Sequence, residues 1–139
     1  MTDHKDTSLA WAETEFKKAV DVLLASGLFQ AARVEARIVW TLRHAVIIGQ
    51  VRENIDKTAF RWVVAGNNVP VDHVQGDVAA SPRDALRHFC LKWQLGAEKV
   101  KEASVNDPRT GDHYRAEADK LAKQAEDLYE LVEADSLWT

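Results

Sequence analysis

A single cysteine, Cys90, stands in the 139 residues of this chain, so no disulfide can form within it and the fold must rest on packing. Such sparing cysteine use fits a reducing compartment, and a cytoplasmic location is expected. Long apolar runs are missing too. The best stretch is interrupted by Arg33, Glu35, Arg37, Arg43 and His44, so it falls short of the roughly 18 residues that a membrane-crossing helix needs. The opening residues, MTDHKDTSLAW, hold no apolar signal core, and no export is expected. Positive charge is not in excess: 18 Lys and Arg stand against 22 Asp and Glu, a net charge of −4. That balance argues against a broad electrostatic grip on nucleic acid, though not against a small local site.

Catalytic signatures are equally scarce. None of the five histidines, His4, His44, His73, His88 and His113, lies in an E-x-x-H or H-E-x-x-H arrangement, so the usual helical metal pairs are lacking and no metal site is expected. There is no G-x-S-x-G, no phosphate-binding glycine loop and no dinucleotide fingerprint. No cofactor is expected. Internal repeats and low-complexity segments are also missing.

What is present is an ordinary globular composition, with 46% hydrophobic and 29% charged residues, long enough for one domain with a real core. Leu9, Ala12, Phe16, Ala19, Val20, Leu23 and Leu24 recur at helical spacing and predict a first helix from an N-cap at Ser8 to about Ser26. Gly27 then acts as a left-handed cap, with Leu28 placed to fold back on Leu23. The next stretch, Phe29–Gln50, carries Ile38, Val39, Trp40, Leu42, Ala45, Val46, Ile47 and Ile48 and reads as a buried central helix. A short third helix is predicted over Asp56–Ala65. Residues 67–80 form a long irregular segment in which Val69, Val71 and Val74 could make one strand with no evident pairing partner.

Ser81-Pro82-Arg83-Asp84 is the sharpest local signal: a capping serine, a proline at the first helical position, and an acid facing the free amides. The helix it starts runs to about Ala103 with Ala85, Leu86, Phe89, Cys90, Trp93, Ala97 and Val100 on its buried stripe. After the break at Asn106-Asp107-Pro108, a last helix spans about Asp112–Ala134, with a narrow seam of Tyr114, Ala118, Leu121, Ala125, Leu128 and Val132. The fold expected is therefore all-α: a single-domain bundle, residues 1–139, of four to five helices around a buried central helix. Residues 1–7 and 136–139 are expected to be flexible tails.

Several residues are candidates for chemistry or recognition. Asp84 and His88, four apart on one helix, could hold half a metal site, although a hydrogen-bonded surface pair is the simpler reading. Cys90, between Phe89 and Leu91, reads as a buried and unreactive thiol. Among five tryptophans, Trp40 and Trp93 suit core packing, whereas Trp62 and Trp138 suit an interface. Glu126, Asp127, Glu130, Glu133 and Asp135 gather acid at the end of the last helix, either as a solvated face or as a docking surface for a basic partner. Leu137 and Trp138 either dock on the bundle or meet a partner.

The run FKKAVDVLLASGLFQAARVEARIVW resembles the opening of HEPN domains, and the final helix, with Ala118, Ala122 and Ala125, resembles their closing helix. The resemblance implies a helical bundle, commonly dimeric, of the kind found in toxin–antitoxin and phage-defence systems. Active members cleave RNA without metal through an Arg-x(4–6)-His motif near a helix start. Arg83-Asp84-Ala85-Leu86-Arg87-His88 matches that spacing. The resemblance would give His88 a proton-transfer role, Arg83 a phosphate-steadying role and Asp84 the polar position beside the arginine.

The function expected first is a cytoplasmic, non-catalytic interaction module, dimeric and acting through a protein partner, with Glu126, Asp127, Glu130, Glu133 and Trp138 as the partner surface. The alternative is a metal-independent ribonuclease using Arg83 and His88. A third reading puts a small-molecule pocket under the 67–80 segment.

Overall fold

The structure, a computed structural model, describes residues 4–29, 33–53, 59–105, 109 and 111–138. It opens with helix α1 (His4–Ala25), followed by strands β1 (Val34–Leu42), β2 (Val46–Glu53), β3 (Arg61–Gly66) and β4 (Asp72–Gln75). A 3-10 turn over Gly76–Val78 leads to helices α2 (Pro82–Val105) and α3 (Gly111–Glu133), and a second 3-10 turn covers Asp135–Trp138. The strands form one antiparallel sheet in the order β1-β2-β3-β4.

The all-α bundle is therefore corrected to an α+β fold. Phe29–Gln50 is no central helix: its described part holds β1, a turn at Arg43-His44-Ala45 and most of β2. Val34, Ile38, Val39, Thr41, Val46, Ile47 and Ile48 explain why. Branched side chains are stiff against a helical turn but fit a pleated surface. A segment apolar on all sides also suits a strand buried on both faces. His44, at φ 56°, supplies the left-handed residue that the tight turn requires.

The third helix expected over Asp56–Ala65 is likewise corrected. Residues 61–65 belong to β3, while 56–58 lie outside the described residues. Of the strand suspected over Val69, Val71 and Val74 only Val74 lies in a strand, β4, and it has a partner: Val74 stands opposite Trp62 and His73 opposite Val63.

The chain divides into two compact units, Met1–Ala85 and Leu86–Thr139. In the first, α1 lies on one face of the sheet. Ala12, Phe16, Ala19, Val20 and Leu23 form a buried cluster with Ile47, Val51, Val63 and Ala65. The predicted buried face holds from Ala12 to Leu23, whereas Leu9 is exposed, and α1 begins at His4 rather than after Ser8. Gly27 takes the expected left-handed conformation at φ 82°, and Leu28 packs on the cluster containing Leu23. Gly49 lets Phe16 sit directly on β2, since a Cβ there would overlap the phenyl ring. On the sheet's other face Val46, Ile48, Trp62 and Val64 are also buried.

The second unit is an antiparallel helical hairpin. Arg87 reaches Glu133 at 3.9 Å near one end, and Lys101 reaches Asp119 at 3.6 Å towards the other. Gly96 lies between these pairs with Leu121 beside it. The predicted α2 stripe is buried from Ala85 to Ala97, with Val100 half-buried. On α3 Ala118, Ala125, Leu128 and Val132 are buried, whereas Tyr114 is exposed. The predicted cap is present too: the Asp84 amide donates to Ser81 Oγ at 3.1 Å.

Candidate functional site

Strand order sets the most distinctive surface. Among the described residues β1 pairs only with β2, so its other side is a sheet edge. It is nine residues long, with Glu35, Ala36, Arg37 and Val39 exposed. The ladder is regular from Val34 opposite Glu53 to Ile38 opposite Gly49, then skips Val39 and resumes with Trp40 opposite Ile48. This bulge reverses which face successive side chains take. Before it, Val34, Ala36 and Ile38 lie on the α1 face and Glu35 and Arg37 on the other. After it, Thr41 shares the α1 face with Ile47, its partner.

The charged face of this edge is ordered by its neighbour. Glu35 accepts from Arg52 Nε at 2.7 Å, and Arg37 donates to Gln50 Oε1 from Nε at 3.0 Å and from Nη2 at 2.8 Å. On the α1 face a groove of about 470 Å³ runs between α1 and β1. Leu9, Glu13, Phe16 and Lys17 form its helical wall, with Ala36 and Ile38 on the strand side. An edge strand beside a helix-walled groove has the elements that β-strand addition uses: backbone groups for pairing and a groove for alternate side chains.

A second concavity of about 660 Å³ opens at the end of the sheet. Leu28, Phe29, Val51 and Phe60 give it apolar walls, and Gln75, Gly76 and Asp77 bring part of the 67–80 segment to its rim. Both of its arginines have partners, Arg52 in Glu35 and Arg61 in His73 Nδ1 at 3.2 Å.

The family described as a domain of unknown function (DUF4826) matches residues 5–138. The chain belongs to this family. No curated protein and no solved structure matches it. The DUF4826 match extends from α1 to the turn at Asp135–Trp138 and so takes in both compact units.

In this DUF4826 chain the residues singled out from the sequence fall on α2 and α3. Asp84 is exposed, and Arg83 and His88 are half-buried. Five residues apart, Arg83 and His88 are separated by about 140° around the helix, so α2 does not put both on one face. The segment on which the HEPN resemblance rests is α1 followed by β1. Among the described residues no group of three or more His, Cys, Asp or Glu side chains could hold a metal ion, and no helix is long and apolar enough to cross a membrane.

Glu126, Asp127, Glu130 and Glu133 are all exposed on α3. Asp127 binds Lys123 at 2.9 Å, and that hydrogen bond raises the lysine's pKa above its usual value. Trp138 is half-buried and donates from Nε1 to the Leu131 carbonyl at 3.1 Å, folding the tail onto the end of α3. Cys90 is 1% exposed, and burial pushes its thiol up to about 12, so it stays protonated at neutral pH. Trp62 is a buried residue of the sheet. Sequence reasoning missed the β1 edge, and the signal that could have found it was the density of branched residues on both sides of Arg43-His44.

Proposed function

We propose that this DUF4826 chain is a protein-interaction module, working in the cytoplasm, whose operative surface is the edge of β1 with the groove beside it. The observation that carries this reading is the regular strand segment Val34–Ile38, exposed at Glu35, Ala36 and Arg37, next to a groove walled by α1. Extended protein chain is the chemistry such an edge recognises: it satisfies the outward backbone groups and drops alternate side chains into the groove. The buried, lone Cys90 supports a non-catalytic role and a reducing compartment. The exposed acids of α3 provide a second surface against which the edge can be tested.

The test is quantitative recovery of bound protein on tagged full-length chain from its native host. Ala36→Lys places a charge at the middle of the edge, where natural sheets use lysine to block pairing, and binding should fall by about tenfold or more. Neutralising Glu126, Asp127, Glu130 and Glu133 to their amides should leave it within about twofold. The reverse pattern would move the interface to α3. Metal-independent RNA cleavage lost in His88→Ala would instead support the ribonuclease reading.

A further inference from the structure

We infer that the segment received by the β1 edge is β1 of a second copy of this chain, in a symmetric antiparallel pair centred on Ala36. This rests on the proposed function and names its partner. The first support is charge complementarity. A two-fold axis at Ala36 places Glu35 of each copy opposite Arg37 of the other, on the same face of the joined sheet. Antiparallel neighbours directly opposite lie close enough for ion pairing. Within each chain Arg52 stands opposite Glu35, and Gln50 opposite Arg37. The joined sheet would therefore carry the row Arg52, Glu35, Arg37 of the second copy, Gln50 of the second copy, and its symmetric counterpart. No like charges meet in either row.

The second support is the length of the regular ladder. Pairing about Ala36 matches Val34 with Ile38 of the second copy and Ala36 with its own equivalent. It uses residues 34–38, the segment that ends at the Val39 bulge. Moving the axis by one residue to Arg37 would set arginine against arginine and draw the bulge into the pairing. An axis at Glu35 would set glutamate against glutamate. The ladder and the charges thus select the same register.

The third support is the groove. Because the axis is perpendicular to the sheet, Val34, Ala36 and Ile38 of the second copy lie on the α1 side, next to Leu9, Phe16 and Ala36 of the groove. Leu9 is 50% exposed in the single chain and gains apolar cover there. The helical wall also presents both signs, through exposed Glu13 and Lys17. An isologous interface requires a self-complementary surface, and this edge has one in charge, length and polarity.

Sedimentation equilibrium on the full chain tests this. The wild type should behave as a particle of twice the 15.6 kDa chain mass. Arg37→Glu and Glu35→Arg should each weaken self-association by about tenfold or more, because each sets like charges opposite one another twice. Mixed together, the two variants should form a heterodimer, since two acids on one edge then face two arginines on the other. Circular dichroism checks that each variant folds. Glu35→Arg removes the ion pair with Arg52, so Glu35→Arg/Arg52→Gln takes its place if the single variant does not fold.

A wild type that stays monomeric at its solubility limit overturns the second-copy inference alone, and loss of another bound protein in Ala36→Lys would still support the edge reading. A dimer unaffected by either charge variant overturns both, because the interface then lies off β1. Variants that dissociate singly and do not pair on mixing overturn the register.

Discussion

Replacing Gly49 with alanine destabilises the protein by about 3 kcal/mol, the upper range for forcing atoms into a packed site. Gly49 does not take a left-handed conformation, so the cost is steric rather than conformational. A Cβ at that position would lie 2.7 Å from Phe16 Cε1 and 2.5 Å from the Arg37 carbonyl oxygen. The ring could shift, but Phe16 is 5% exposed among Ala12, Ala19, Ile47 and Val63 and has little room. The Arg37 carbonyl belongs to the neighbouring strand and cannot move without disturbing the β1–β2 ladder.

Urea denaturation measures the effect. The midpoint should fall with the slope unchanged, since the same surface is exposed on unfolding. Phe16→Ala alone should cost about 3–4 kcal/mol through its cavity. The double variant should cost less than the two singles together by about 1 kcal/mol, because the new methyl takes up part of the space the ring leaves. Full additivity would mean that Phe16 and Gly49 do not touch, and α1 would then not lie on this face of the sheet.

Trp62→Ala should cost about 4 kcal/mol, as expected for removing a large buried aromatic. Trp62 is 2% exposed, and Phe60 meets it edge-on with ring centres 5.4 Å apart. Its indole N–H donates to the carbonyls of both Gly76 and Ala79, each at 3.2 Å. Those bonds, with the Gly76 amide donating to the Phe60 carbonyl at 2.8 Å, tie the 3-10 turn to β3.

Trp62→Phe separates packing from hydrogen bonding. It keeps most of the apolar volume, removes the donor and should cost about 1–2 kcal/mol. Thermal and urea melts of the two variants give the comparison. Because Trp62 sits on β3, two strands from the edge, the phenylalanine variant should retain binding at β1. Equal losses for the two variants would show that the indole N–H, rather than the ring's bulk, holds the turn.

The three long helices were legible from their own punctuation or spacing. Gly27 closes α1, and Ser81-Pro82-Asp84 opens α2. Ala118, Ala125, Leu128 and Val132 mark α3 by spacing alone. The sheet was not legible for two physical reasons. β2 is buried on both faces from Val46 to Gly49, so it lacks the polar alternation that betrays a half-exposed strand. β1 would show alternation, but the bulge at Val39 shifts its phase midway. An apolar segment without a clean period of two then passes for a buried helix, and only its branched residues argue otherwise.

The candidate site was hidden for a different reason. Glu35, Ala36 and Arg37 are unremarkable as a tripeptide. They become a surface only because the strand order leaves β1 outermost, and strand order is a property of the whole sheet. The acidic end of α3 was legible from composition, since Glu126, Glu130 and Glu133 recur at helical spacing. Composition could not tell that Trp138 turns back to the Leu131 carbonyl.

Amide hydrogen exchange, compared between the free chain and its complex, tests most directly whether β1 is the interaction surface. A free edge leaves outward amides in contact with water, and strand addition gives them hydrogen-bond partners. The account predicts slowed exchange across Val34–Ile38 in the complex, reversed on dilution if the partner is a second copy, with 126–138 unchanged. Slowed exchange confined to 126–138, with Val34–Ile38 exchanging as in the free chain, would contradict it.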